Sequence, residues 1–247
     1  MKILTLNTWQ ERGPWLERWE LIFHGLKVYD ADIVGFQEVF NMDWAEEARE
    51  RSGYPYLAVS GQHSGLIFFS KFKPVEEECI FLPKSPNEDY NRYAFYTRFD
   101  TGKEGLAAFN THLSWKKEDD QVRGSQVRGL VEFIDRKAGA APAVAMGDFN
   151  TAPGTDPIKF LTGQAGWRDT FALANPGQAG LTWDYRNPYA EMERDKMAER
   201  RIDYIFVTRE AGPFKGIRLS RVVFDKPAGG VWPSDHLGVL TEFSDGG

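Results

Sequence analysis

The chain has 247 residues, 42% of them hydrophobic, and a formal net charge of −6. That length allows one large α/β domain or two small ones, with enough apolar content for a substantial core. The charge excludes a protein that coats nucleic acid by bulk attraction, which needs clustered Lys and Arg, but leaves room for a nuclease with acidic metal ligands beside a local basic rim.

Met1-Lys2 leads straight into the apolar run Ile3 to Leu6, which reads as a first strand with no signal peptide before it. Trp15 to Tyr29 follows with Trp15, Trp19, Ile22, Phe23 and Leu26 at the spacing of one helix face. Strand-like runs come next at Ile33 to Phe36, Gly65 to Phe69, Tyr93 to Phe99 and Leu106 to Asn110. Gln121 to Lys137 repeats the helical pattern with Val122, Val127, Leu130, Val131 and Ile134. Further strands are expected at Ala143 to Met146, Ile202 to Val207, Arg218 to Phe224 and Gly238 to Phe243. Phe81 to Arg92 and Tyr185 to Arg201 read as long loops, the latter half of the second equally as a solvated charged helix. Strands and helices mix without strict βαβ alternation, so a mixed sheet is expected rather than a doubly wound parallel one.

No Pro/Gly-rich linker or repeat divides the chain, and it reads as a single domain over residues 1–247. No run approaches the roughly 18 apolar residues of a membrane span, so no integral membrane association is expected. The lone cysteine, Cys79, cannot form an internal disulfide and fits a reducing compartment; cytoplasmic residence and a monomer are the expectations.

Polar residues recur where the apolar runs end: Asn7, Glu38, His112, Asp148 with Asn150, and Asp235-His236. Carboxyl ends of strands are where α/β proteins gather their sites. Glu38 is a carboxylate suited to Mg²⁺, which takes one or two carboxylates plus water and phosphate. Asn7 is either a turn cap or a carbonyl donor to the same ion. His112 can donate to a phosphoryl oxygen. Asp148 and Asn150, two residues apart, share a face of an extended segment, so that one can orient or deprotonate water while the other holds a phosphoryl oxygen. Asp203 stands within an apolar run and needs a partner. His236 is the partner that would leave its second ring nitrogen free for chemistry, with Asp235 beside it for the ion or its surroundings; an arginine salt bridge is the alternative.

Phosphodiesters resist hydrolysis because their anionic oxygens repel nucleophiles, so a catalyst needs positive charge on those oxygens and an oriented water. The corner residues meet that need without a Ser, Cys or Lys nucleophile. Six strings carry them: Leu6-Asn7-Thr8-Trp9, Gln37-Glu38-Val39, Asn110-Thr111-His112-Leu113, Gly147-Asp148-Phe149-Asn150, Arg201-Ile202-Asp203-Tyr204-Ile205-Phe206 and Ser234-Asp235-His236. In this order, over almost the whole chain, they resemble the endonuclease/exonuclease/phosphatase superfamily with its DNase I-like fold. Gly166 to Phe171 and Leu181-Thr182-Trp183 resemble further segments of it.

The resemblance implies an α/β (α+β) four-layer sandwich: two mixed β-sheets face to face, with helices outside. It implies a Mg²⁺ or Mn²⁺ cofactor and single-step attack of water on phosphorus. Asn7, Glu38 and Asp235 would serve the metal; His112 and Asn150 would stabilise the phosphoryl group; Asp148 would act on water; and Asp203 would orient His236. Asp148 and His236 both remain open as the general base. The substrate is a phosphate ester of a small molecule, a nucleic acid or a lipid head group. A phosphodiesterase is the main reading, a DNA or RNA nuclease the alternative, and a binding module that has lost its chemistry a third. Bacterial sphingomyelinase-like enzymes resemble the chain around Thr182-Trp183 and Arg201 to Phe206, but only Gly229 to Pro233 stands where they insert an apolar hairpin. Trp9, Trp115, Trp183 and Trp232 adjoin the corners, for stacking or for packing. Arg92, Lys116, Lys117, Arg186 and Arg201 form either a basic rim or ordinary solvated charge.

Overall fold

The computed structural model of the protein describes residues 1–61, 63–102 and 105–244. Its strands are β1 (Lys2–Asn7), β2 (Ile33–Gln37), β3 (Tyr56–Val59), β4 (Ile67–Ser70), β5 (Lys73–Phe81), β6 (Tyr93–Asp100), β7 (Leu106–His112), β8 (Ala143–Asp148), β9 (Arg168–Asp169), β10 (Asp203–Val207), β11 (Ile217–Val223) and β12 (Gly238–Phe243). The helices are α1 (Trp15–Tyr29), α2 (Met42–Ser52), α3 (Asp120–Ala138) and the short α4 (Asp156–Lys159), α5 (Thr170–Ala174) and α6 (Pro188–Glu191).

The strands form two six-stranded sheets, ordered β11-β12-β1-β2-β4-β3 and β5-β6-β7-β8-β10-β9. Each is mixed, with one parallel pair, β1 beside β2 and β7 beside β8, among antiparallel neighbours. Alternation along the strands decides which layer each side chain enters. Leu4, Val34, Phe36 and Phe69 turn outward to Trp19, Ile22 and Phe23 of α1 and Trp44 of α2. Phe109, Ala145, Tyr204 and Phe206 turn outward to Val127, Leu130, Phe133 and Ile134 of α3. Ile3, Ile33, Phe68, Phe95, Val144, Met146 and Ile205 face one another between the sheets. The result is the expected sandwich of helix, sheet, sheet and helix. Contact between the sheets is so close at Gly35 that a Cβ there would lie 2.6 Å from the Met146 sulfur.

Polar groups also cross the interface. Gln37 donates to Asn110 Oδ1 at 2.7 Å and to Thr5 Oγ1 at 3.0 Å, while Asn110 donates to the carbonyls of Phe36 and Ile67. All three side chains are fully buried and satisfied, and an unpaired member would cost roughly 1–3 kcal/mol. The network therefore fixes how the two sheets register just below the rim that carries the corners.

The apolar patterns do not predict β3, β5, the two-residue β9, α2 or the short α4, α5 and α6. The run expected from Ile202 starts one residue later, so Asp203 opens β10 rather than lying inside it. The Tyr185 to Arg201 segment holds the single-turn helix α6 near its start, and turns rather than a helix in its latter half. Among the described residues no helix is long and apolar enough to cross a membrane.

Candidate active site

Strand register brings the corners together. The parallel pair β7–β8 sets His112 opposite Asp148, and the antiparallel pair β8–β10 sets Asp203 on the other side of Asp148. In the first sheet, Asn7 at the end of β1 lies opposite Gln37, the residue before Glu38. β12 runs antiparallel to β1, with Val239 opposite Thr5, so residues 234–236 pass beyond the end of β1. There Ser234 Oγ donates to the Asn7 carbonyl at 2.7 Å.

Asp148 is the hub. Its Oδ2 accepts from Asn7 Nδ2 at 3.1 Å and lies 3.3 Å from His112 Nε2 and 3.7 Å from His236 Nε2. Asn7 Nδ2 also donates to Glu38 at 3.3 Å, and Asn7 Oδ1 accepts from Trp9 N at 3.0 Å. His236 Nδ1 pairs with Asp203 Oδ2 at 3.0 Å, so the partner expected for Asp203 is His236 and not an arginine. Asn150 donates its amide to the Leu113 carbonyl at 3.0 Å and its backbone N–H to Asp148 Oδ1 at 2.9 Å. All eight expected site residues thus meet at one rim.

Backbone conformation at the corners is costly. Glu38, Asn150, Trp9 and Gln10 all have φ between 49° and 65°, and a non-glycine residue held in a sparsely populated region costs about 1–3 kcal/mol. Gly147 is obligatory: at φ 137° its Cβ would sit 2.0 Å from the Thr111 carbonyl oxygen. Arg18 of α1, fully buried, holds the turn after β1. Its guanidinium donates to the carbonyls of Thr8, Trp9, Gln10 and Arg12, and to that of Pro233 just before Ser234. Its pKa falls to about 10 because burial outweighs the acids Asp235 and Glu38 nearby.

Electrostatics separate the two histidines. Burial lowers the pKa of both, but for His236 the surrounding Asp203, Asp148 and Asp235 outweigh it and raise the pKa well above the ordinary value. His112 has burial first, then the positive Arg92 and His236, all pulling it well below. Burial pushes Asp148 up to about 7, against the opposing pull of His236, and Asp235 up to about 6.

A cavity of about 680 Å³ opens over the rim, lined by Glu38, His112, Asp148, Asn150, Asp235 and His236. Asn7 and Asp203 lie just beneath its surface. Trp9 stacks on Tyr189 at 4.7 Å, and Trp115 donates to the Tyr90 hydroxyl at 2.7 Å; these pairs form two aromatic walls of the cavity. Trp183 packs edge-on against His236 at 5.0 Å. Trp232 is buried packing and does not line the cavity.

The carboxylates Asp148, Asp203 and Asp235 share His236 as the cationic ring among them, and Asp203 Oδ1 accepts no hydrogen bond. Excess buried negative charge of this kind suits a divalent cation and oxygen donors suit a hard one. Asp148, Asp203 and His236 also offer atoms within 4.8 Å of one another, although these are already engaged in pairing.

Of the five candidates for a basic rim, three are paired with acids. Arg201 is buried and forms a two-pronged pair with Asp169 at 2.9 and 2.8 Å. Arg92 is buried against Glu88, and Arg186 pairs with Asp184. Lys116 lies 4.8 Å over the Trp115 ring. Sequence reasoning missed Arg18 entirely; an arginine on the apolar side of an amphipathic helix was the available signal.

Fold and site together define a two-sheet α/β protein whose acids and histidines converge from both sheets. The model of the endonuclease/exonuclease/phosphatase family matches residues 4–236, and the chain belongs to that family, whose members are hydrolases acting on phosphate esters. It is 33% identical over 181 residues to Protein angel of Drosophila melanogaster, covering 66% of this chain and 51% of that one. It is 29% identical over 166 residues to the inositol phosphosphingolipids phospholipase C of Saccharomyces cerevisiae, covering 58% and 34%. The chain therefore spans at most about half the length of these curated relatives. Among solved structures it resembles a beta toxin variant from Staphylococcus aureus with bound magnesium ions, at a TM-score of 0.81 and 19% identity over 98% of this chain and 99% of that one. That likeness is one of fold.

Proposed function

We propose that the protein hydrolyses phosphodiesters by single-step attack of water on phosphorus, with Mg²⁺ or Mn²⁺ as cofactor. The observation that carries this reading is the Asp203–His236–Asp148–His112 row, in which His236, from the turn before β12 of the first sheet, stands between two carboxylates of the second, with Asn7 and Glu38 of the first sheet beside it. A cation held by Glu38, Asp235 and the Asn7 amide would neutralise charge on the non-bridging oxygens.

The division of charge assigns the proton work. Asp203 holds the Nδ1–H of His236 and keeps the imidazole protonated, so His236 serves as a positive donor toward the phosphoryl group. Asp148, with its pKa near 7, then takes the proton from the attacking water. One P–O bond forms to that water and the bond to the leaving oxygen breaks; the alkoxide takes a proton from solvent to become the alcohol, and Asp148 returns its own proton to solvent. The neutral His112 and the remaining Asn150 N–H face the same space as uncharged donors.

The pairing of Arg92, Arg186 and Arg201 with acids supports a compact diester over a long polynucleotide. The description of the family and the name of the yeast relative leave a nucleic acid and a lipid head group both open. The test is hydrolysis of bis(4-nitrophenyl) phosphate against 4-nitrophenyl phosphate with Mg²⁺, beside single-stranded DNA, RNA and a choline phospholipid. Diester turnover that disappears in Asp148→Asn supports the reading; turnover of the monoester alone overturns it. Steep loss of activity with added salt would instead favour the nuclease.

A further inference from the structure

We infer that Asn187 is a positioning residue for His236, tying the short helix on the cavity wall to the turn that carries the histidine. Resting on the hydrolase reading, this assigns a role to a side chain outside every corner named above.

Asn187 has no exposed surface. Both hydrogens of its amide are used: Nδ2 donates to the Ser234 carbonyl at 2.7 Å and to the Asp235 carbonyl at 3.2 Å. Its Oδ1 accepts the N–H of Tyr189 at 3.1 Å and so caps α6, with Pro188 in the first turn. One carboxamide therefore faces two elements separated by 47 residues. The Asp235 carbonyl belongs to the peptide unit that leads into His236, so fixing it fixes where the imidazole starts. Ser234 Oγ braces the same turn from the other side, accepting from His236 N at 3.3 Å and donating to the Asn7 carbonyl.

The ring itself has a narrow tolerance. It must reach Asp203 at 3.0 Å through one nitrogen while presenting the other to Asp148 at 3.7 Å, with Trp183 against its face. On the far side of Asn187, Tyr189 stacks on Trp9 over the cavity. The amide clamp joins that aromatic wall to the catalytic turn.

Cap and clamp can be separated. Ser and Asp cap helices as well as Asn does, but neither can donate to two carbonyls at once. Asn187→Ser keeps the cap and loses the clamp without adding charge; Asn187→Asp does the same but sets a carboxylate against the carbonyls. We expect Asn187→Ser to lower kcat on bis(4-nitrophenyl) phosphate about 10- to 100-fold, the scale of a misplacement near 1 Å, with KM little changed. The far-downfield proton resonance of the His236–Asp203 bond, recorded in the same folded protein without substrate, should shift or broaden. If Asn187→Ser keeps the wild-type kcat per folded molecule and an unmoved resonance, the inference is overturned. If it does not fold, the same measurements on Asn187→Asp decide it: a wild-type kcat and an unmoved resonance there overturn the inference too. A wild-type protein without diesterase activity would overturn the hydrolase reading, while the resonance still reports on the clamp.

Discussion

His112 and His236 reach the same carboxylate from opposite sides, at 3.3 and 3.7 Å from Asp148 Oδ2, yet their charge states diverge. Behind His236 stands Asp203 at 3.0 Å. Behind His112 the nearest acid is Glu38 at 4.0 Å, and the cation of Arg92 is close enough to oppose a second charge. Two imidazoles in equally buried corners are thus made into a cation and a neutral donor by the groups behind them. Environment, not residue type, divides the labour.

The strongest test of this contrast removes the support behind His236. Asp203→Asn or His236→Ala should lower kcat by about 10³- to 10⁴-fold, the upper part of the range for positioned acid–base groups. The double variant should be scarcely worse than either single one, since the pair acts as a unit. Additive losses would show that Asp203 does something besides holding the ring. His112→Gln should cost less, on the order of 10²-fold, as expected for one neutral donor to a phosphoryl oxygen. Combined with His236→Ala its effect should add, and equal single losses would erase the distinction.

How these positions can be read from sequence follows from the same contrast. The buried strands β1, β2 and β8 are short apolar runs ending in a polar residue, and the corners lie at those ends. β5 escaped because it is an edge strand: Glu76 and Glu78 reach Lys137 and Arg136 of α3 outside the sheet, and acids in a row do not look like a strand. α2 escaped because its buried face is only Trp44, Ala45, Ala48 and Ser52. Arg201 was open to reading as a substrate contact because its partner, Asp169, lies 32 residues away. Arg18 and Asn187 act on backbone carbonyls, which leave no trace in the identity of the residues they hold. Side chains that meet side chains in a recognisable string were accessible; side chains that hold the main chain were not.

The metal sharpens the comparison from another direction. Binding at 100 times its dissociation constant stabilises the fold by about 2.7 kcal/mol, readable as a rise of several degrees in Tm on adding Mg²⁺. Glu38→Gln and Asp235→Asn should shrink that rise, whereas His112→Gln should leave it. A rise that survives both acid replacements would move the cation to the Asp148, Asp203 and His236 grouping.

The smallest expected effect is in the pH dependence of stability without divalent ions. Asp148 and Asp235 have folded pKa values of about 7 and about 6, above the ordinary carboxylate value of 3.8. Between roughly pH 4 and 7 the folded state therefore holds protons that the unfolded chain has released, and stability falls as pH rises. His236, raised, adds stability that is complete below its ordinary value and lost only as pH climbs through its higher folded one. His112 is lowered, so below its ordinary value the unfolded chain takes up a proton that the folded state refuses, and its contribution rises with pH up to about that value. The two rings bend the curve in opposite senses, each by at most about 1.4 kcal/mol per pH unit. Urea titrations of His112→Gln should accordingly show a steeper fall toward neutral pH than wild type, and those of His236→Gln should not. Parallel curves for the two variants would mean that the rings carry the same charge, and the asymmetry on which the proton assignments rest would be gone.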